Sequence, residues 1–272
     1  MVLGEDITIL IGDLMDTKLT GVKAVFLDLD GTIYLGGNLI EGALEFLSRC
    51  EEQGVKRYFL SNNSSRSVEQ YVAKLNAMNI PCSAEDVLLS THDLLSWLAK
   101  NNITKTWAIA TKGMCQMMED VGITTRDEDP QYVVLGYDTE IDYNKISTAS
   151  IHMHRGVPLV ASHPDMVCPS PDGGLPDVGA YLAMLKVTTG KDPHHITGKP
   201  NPGMIMHKIE ELGLNPSECA MVGDRLYTDM EMAIRAKCVS VLVLSGEATL
   251  ADLEESGKGV DVVVDSVDLL LR

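Results

Sequence analysis

Val25-Phe26-Leu27-Asp28-Leu29-Asp30-Gly31-Thr32 is the stretch on which the reading of this chain turns. The apolar run from Val22 to Leu29 has the composition of a buried strand. It carries two carboxylates two residues apart at its end, and Gly31 then releases the chain into a turn. In a parallel sheet the carboxyl ends of the strands face the ligand crevice. Two close carboxylates in such a place either share a proton or hold a cation. A plain acidic turn is the bland alternative, and an EF-hand loop is a third reading. The EF-hand fails on counting: from Asp28, Ile33 stands where its glycine belongs and Leu39 where its glutamate belongs.

Outward from this point, short β-branched runs alternate with segments of helical period, the mark of βαβ units on a mostly parallel sheet. Ile40, Ala43, Leu44, Leu47 and Cys50 share one helical face that Gly54 ends, and Val55 to Leu60 reads as the next strand. Val68, Tyr71, Val72, Leu75 and Met78 form a second stripe, stopped at Ile80-Pro81. Further strands are predicted near Thr106–Ala110, Tyr132–Leu135, Pro158–Ala161, Cys219–Val222, Val239–Leu244 and Val260–Val264. The helices between them fall near 114–121, 143–154 and 178–189. Ser162 to Pro176 is a Pro/Gly-rich loop, and loops of this length are usually functional. Ile7–Ile11 is either an added strand or a short helix.

The bulk properties restrict the function. The chain has 272 residues, 45% of them apolar and 22% charged, which suits one large or two modest soluble domains. No stretch approaches the roughly 20 apolar residues of a membrane span. The acidic start, Glu5-Asp6, is unlike the basic start of a signal peptide, so a cytoplasmic protein is expected. Six scattered cysteines form no CxxC pair, which fits thiols in a reducing compartment. A net charge of −17 argues against nucleic acid as a partner. It would also repel an anionic substrate, so any such substrate requires local positive charge.

Three further strand-end or turn segments are weak separately. Ser61-Asn62-Asn63-Ser64-Ser65-Arg66-Ser67 offers a hydroxyl and main-chain N–H groups to an anion, or simply caps a helix. Gly198-Lys199-Pro200-Asn201-Pro202 holds a lysine on a rigid turn. Gly223-Asp224-Arg225-Leu226-Tyr227-Thr228-Asp229 repeats the theme of acidic residues beyond a strand, although Asp229 could equally cap the next helix.

Taken in order, these four segments resemble the haloacid dehalogenase superfamily, and within it the NagD-like (type IIA) phosphatases. The similarity covers nearly the whole chain from Val22. It implies an α/β fold: a Rossmann-like, doubly wound parallel core of residues 1–90 and 192–272, with an inserted α/β cap domain over 91–191. It also implies a Mg²⁺-dependent phosphatase acting on a small phosphorylated metabolite. Asp28 would be the nucleophile that becomes an aspartyl phosphate, and Asp30 the general acid and base. Ser61, Asn62 and Asn63 would hold the phosphoryl oxygens, and Lys199 would neutralise them. Asp28, Asp224 and the Asp30 carbonyl would hold the metal, with Asp229 behind them.

The cap would choose the substrate through His163 and Asp165. His163 stands where this family usually has asparagine, and a capped loop histidine is its bland reading. Apolar cap surfaces are compatible with a homodimer. Because the superfamily's ATPases carry threonine where this chain has Asp30, hydrolysis is the favoured chemistry. A phosphotransferase or mutase using the same aspartyl phosphate is the alternative, as is a silent phosphoester sensor.

The electrostatics agree with the implied roles. A carboxylate facing a phosphate dianion meets on the order of 8 kcal/mol of repulsion at about 4 Å and an effective dielectric near 20. A divalent cation and Lys199 together offset it.

Overall fold

The computed structural model describes residues 19–168 and 173–272. The expected element at Ile7–Ile11 lies outside them, as does the middle of the Ser162–Pro176 loop. The described chain divides into two compact units. The first gathers the residues up to Leu60 with Asn76–Pro81 and Ile205–Arg272, and the second comprises Ser61–Leu75 and Cys82–Met204. The second is wider on both flanks than the 91–191 insert anticipated from the sequence.

The strand at the centre of the first unit is β1 (Ala24–Asp28), every residue of which is buried. A hairpin, β2 (Tyr34–Leu35) and β3 (Asn38–Leu39), follows it. Next come β4 (Lys56–Ser61) and, beyond the bounds of the first unit, β5 (Val87–Leu89). Near the carboxyl terminus are β12 (Cys219–Gly223), β13 (Val239–Val243) and β14 (Val262–Val264). The six-stranded sheet runs in the order β14-β13-β12-β1-β4-β5. Chain order proceeds outward from β1 through β4 on one side and from β12 through β13 on the other. The junction of β1 and β12 is therefore the topological switch point, where ligands of doubly wound sheets bind. The parallel register pairs Leu27 with Val222. This places Asp28 level with Gly223, with Asp224 one residue beyond.

The helix predicted on Ile40 to Cys50 forms as Ala43–Glu52, with Gly54 just past its end at φ 69°. One assignment on it is corrected. Leu44 faces solvent, and Phe46 fills the core with Ala43, Leu47 and Cys50. Once the helix starts at Ala43, spacings of three and four lead to Phe46, Leu47 and Cys50 and leave Leu44 on the outer side.

The second unit is built on a four-stranded parallel sheet. Its strands are β6 (Thr106–Ile109), β7 (Tyr132–Leu135), β8 (Leu159–Ala161) and β11 (His195–Ile196), in the order β11-β8-β7-β6. The two-residue period of a strand divides its side chains between two cores. Ala108, Val134 and Val160 join Leu94, Leu98, Met114 and Met118 from the helices Ser90–Lys100 and Lys112–Asp120. Ile109, Val133, Leu135, Leu159 and Ala161 join Ala149, Met153, Val178 and Leu185 from Tyr143–His154 and Val178–Thr189. Within the long loop after β8, β9 (Val167–Cys168) and β10 (Leu175–Pro176) form a short antiparallel pair. Among the described residues no helix is long and apolar enough to cross a membrane.

Candidate active site

In the first unit, carboxylate oxygens of Asp28, Asp224 and Asp229 lie within 4.8 Å of one another. Asp28 ends β1, Asp224 follows β12, and Asp229 sits on the π-helical turn Leu226–Met230. All three are buried. Backbone geometry makes room for them. Gly31 adopts φ 89°, and a Cβ there would fall 2.3 Å from Asp224 Oδ2; one at Gly246 would fall 2.0 Å from the same oxygen. One at Gly223 would press on the Asp229 Cβ at 2.4 Å. Asp224 Oδ2 accepts the Glu247 N–H at 2.7 Å, and Asp229 Oδ2 accepts the Arg225 N–H at 3.1 Å.

Asp224 Oδ1 is buried with no hydrogen-bond partner among the described residues. Burial, and then the charges of Asp28 and Asp229, push the Asp224 carboxyl up to about 7. Three close carboxylates around an unpartnered buried oxygen form an all-oxygen donor set, the kind that suits a hard divalent cation. The residues therefore fit the metal that the sequence implied, with Asp229 as near to the cluster as Asp28 and Asp224. The Asp30 side chain is exposed and outside this trio, and its implied metal contact is through the main-chain carbonyl.

The second unit collects the residues expected from the sequence to bind an anion. The Asn62 carboxamide accepts the Lys199 N–H at 2.8 Å and donates to the Lys199 carbonyl at 3.0 Å. It donates also to both Asp165 oxygens at 3.2 Å. These contacts occupy the side chain of Asn62, which fixes the Lys199 turn. Gly198 takes φ 69°, where a Cβ would strike the Ser162 carbonyl at 2.5 Å and Asn62 Oδ1 at 2.9 Å. Asn63 Oδ1 accepts from Ser65 N at 2.9 Å and from Ser65 Oγ, tightening the turn that starts at Ser61.

His163 is fully buried, with Nδ1 2.9 Å from Ser162 Oγ and Nε2 2.9 Å from Asp177 Oδ1. Ser162 Oγ is 3.0 Å from Ser64 Oγ, which accepts the Tyr137 N–H at 2.8 Å. Both ring nitrogens are thus engaged inside the protein. These contacts make His163 a brace between Ser162 and Asp177, and it is Ser162 that reaches the Ser61–Ser65 turn, through Ser64. A lone loop histidine carries no sequence mark of its partners, and Asp177 lies 14 residues away.

Asp93 escaped sequence reasoning altogether. Buried on the Ser90–Lys100 helix, it accepts the Gly198 N–H at 2.9 Å, and a Cβ on Gly203 would meet its Oδ1 at 1.9 Å. An aspartate inside a helical pattern gives no signal beyond surface charge; only the tight packing of Gly198 and Gly203 around it could have pointed to it.

Comparison with known proteins agrees with this geometry. Residues 25–124 match the haloacid dehalogenase-like hydrolase family model, and residues 196–270 match a HAD-hydrolase-like model. An acid sugar phosphatase of Staphylococcus aureus is 32% identical over 234 residues, spanning 85% of this chain and 90% of that protein. A 4-nitrophenylphosphatase structure from Thermotoga maritima aligns at a TM-score of 0.88 and 36% identity, covering 93% of this chain and 97% of that one. A p-nitrophenyl phosphatase structure from Archaeoglobus fulgidus aligns at 0.84 and 26% identity, covering 92% and 98%. With Asp28 at the switch point of a doubly wound sheet, this chain belongs to the haloacid dehalogenase-like hydrolases, as a NagD-like phosphatase of that family.

Proposed function

We propose that the chain hydrolyses small phosphate monoesters, sugar phosphates foremost, by way of an aspartyl phosphate on Asp28, and that it requires Mg²⁺. The observation that carries the reading is the buried trio of Asp28, Asp224 and Asp229 with its unpartnered Asp224 oxygen. The acid sugar phosphatase relative supports the substrate class, and the 4-nitrophenylphosphatase supports a small aryl phosphate as a surrogate. The cytoplasm and a small phosphorylated metabolite are the proposed setting, with no nucleic acid, and a homodimer remains the proposed assembly.

In the first half-reaction an Asp28 carboxylate oxygen forms a bond to phosphorus while the bond from phosphorus to the leaving oxygen breaks. Asp30, in its acid form, gives its proton to that oxygen. In the second, the Asp30 carboxylate takes a proton from water, whose oxygen attacks phosphorus and releases inorganic phosphate and free Asp28. Asp28, Asp224 and the Asp30 carbonyl would hold the cation, with Asp229 steadying the Arg225 turn beside it. When bound, the cation supplies positive charge against the repulsion between Asp28 and the incoming dianion. Ser61, the Asn62 main chain and Lys199 carry the role of binding the phosphoryl oxygens. Lys199 takes that role from a turn fixed by Asn62 and Asp93.

The experiment is inorganic phosphate release from a panel of sugar phosphates, nucleotides and p-nitrophenyl phosphate, with Mg²⁺ and with excess chelator. Metal-dependent release led by sugar phosphates is the expected result. Release that chelator leaves untouched would remove the metal from the reading. No release from any ester by folded, Mg²⁺-loaded protein would transfer the reading to phosphotransfer or sensing.

A further inference from the structure

We infer that Tyr71 is a positioning residue for the reaction, its phenol fixing the direction in which the Ser61 hydroxyl gives its proton. The inference rests on the proposed role of Ser61 in holding a phosphoryl oxygen. Ser61 Oγ lies 2.8 Å from the Tyr71 hydroxyl oxygen. The same Oγ accepts the Asn63 N–H at 3.2 Å. A serine hydroxyl has one proton to give and two lone pairs to receive with. Asn63 fills one lone pair. If Tyr71 donates, it fills the second, and the Ser61 proton is left to point in a third direction.

Only that polarity suits an anion. With the reverse arrangement, Ser61 would give its proton to Tyr71 and turn a lone pair toward a phosphoryl oxygen, which is repulsive. A hydroxyl that accepts two hydrogen bonds is also a better donor in its own, because the bonds polarise one another. Tyr71 therefore sets both the aim and the strength of the Ser61 contact.

The local sequence holds the phenol in place. Tyr71 shares the buried face of the Val68–Ala77 helix with Val68 and Leu75 and is 4% exposed. The helix start is fixed by reciprocal contacts: Gln70 Oε1 accepts the Ser67 N–H at 2.9 Å, and Ser67 Oγ accepts the Gln70 N–H at 3.4 Å. At the other end of the turn, Asn63 Oδ1 receives Ser65 N and Oγ. Phenylalanine would fill the same apolar space, so packing alone does not call for the hydroxyl at this position.

The test is a double-substitution cycle on the full chain in Mg²⁺, with p-nitrophenyl phosphate turnover and inhibition by orthovanadate as readouts. Ser61→Ala should lower kcat/KM. Tyr71→Phe should lower kcat/KM and weaken vanadate inhibition, each by about tenfold, the order expected of one hydrogen bond to a charged group. Within the Ser61→Ala background, Tyr71→Phe should have almost no further effect, because the proton it directs is gone. Normal activity of Ser61→Ala would remove the reading of Ser61 and the inference with it. An impaired Ser61→Ala beside a normal Tyr71→Phe would overturn the inference alone. An equal loss from Tyr71→Phe in both backgrounds would show a general packing role and overturn it likewise. Thermal unfolding of each variant keeps loss of fold separate from loss of aim.

Discussion

Asp224 shows how much a single residue in this site is asked to do. One of its oxygens is anchored on the Glu247 N–H, and the other has no hydrogen-bond partner among the described residues. In the metal-free chain its carboxyl is pushed up from 3.8 to about 7 by burial and by its neighbours Asp28 and Asp229. The folded state then holds this proton more tightly than the unfolded chain does. Its stabilising contribution is full below the ordinary aspartate value and is lost as pH rises through about 7. A cation competes for the same oxygens, so the Mg²⁺ concentration giving half-maximal rate should rise as pH falls below 7, by up to about tenfold per unit. Mg²⁺ titrations of activity between pH 5 and 8 measure this, and a flat requirement would contradict it. Gly246→Ala tests the cradle: its Cβ would fall 2.0 Å from Asp224 Oδ2. The variant should fold, at a cost of about 1–3 kcal/mol for overpacking, yet need far more Mg²⁺. At this scale Asp28 and Asp224, which the structure brings together with Asp229, were singled out in the sequence because each sits at the end of a strand. Asp93, Asp177 and Tyr71 were not, because their partners lie 105, 14 and 10 residues away along the chain.

At the scale of elements, local chemistry and packing divide the work. Asp142 caps the Tyr143–His154 helix by accepting the Lys145 N–H at 2.8 Å. Asp142→Ala should therefore cost about 1 kcal/mol in urea unfolding and leave the sheet core intact; a neutral substitution would show that the apolar face alone fixes the start of this helix. That face presents Ala149 and Met153 to a core shared with β7 and β8. The helices expected at 143–154 and 178–189 and the strand β7 form within those bounds, whereas the helix Ser90–Lys100 was not anticipated. Two-residue strands such as β9, β10 and β11 were not anticipated either, because their identity comes from a partner strand and not from their own composition. Leu44 was misplaced for a related reason. A stripe of apolar residues fixes a helical face only once the first helical residue is known, and Ile40, counted as its start, precedes the helix.

Across the whole molecule, the thiols report how tightly the interior is closed. Cys50, Cys219 and Cys238 are buried, and burial pushes their thiols up to about 11, 11 and 12. Cys82, Cys115 and Cys168 are partly accessible. A thiol-specific disulfide reagent at pH 8 should react with no more than these three in the native chain and with all six after unfolding. Faster labelling of Cys219 or Cys238 would mean that the first unit's sheet opens readily. The same acidic molecule, with its net charge of −17, must still receive a dianion. In the proposed mechanism charge placed locally, on a lysine turn and a carboxylate-held cation, meets that need, together with covalent capture at one carboxylate. The most direct test of that claim is an acid quench during turnover of a phosphomonoester, followed by peptide mass analysis. The account predicts one phosphoryl group on the peptide containing Asp28, absent from Asp28→Asn, whose turnover should fall by about 10⁴-fold or more. A phosphoryl group on another residue, or rapid turnover by a folded Asp28→Asn chain, would contradict it.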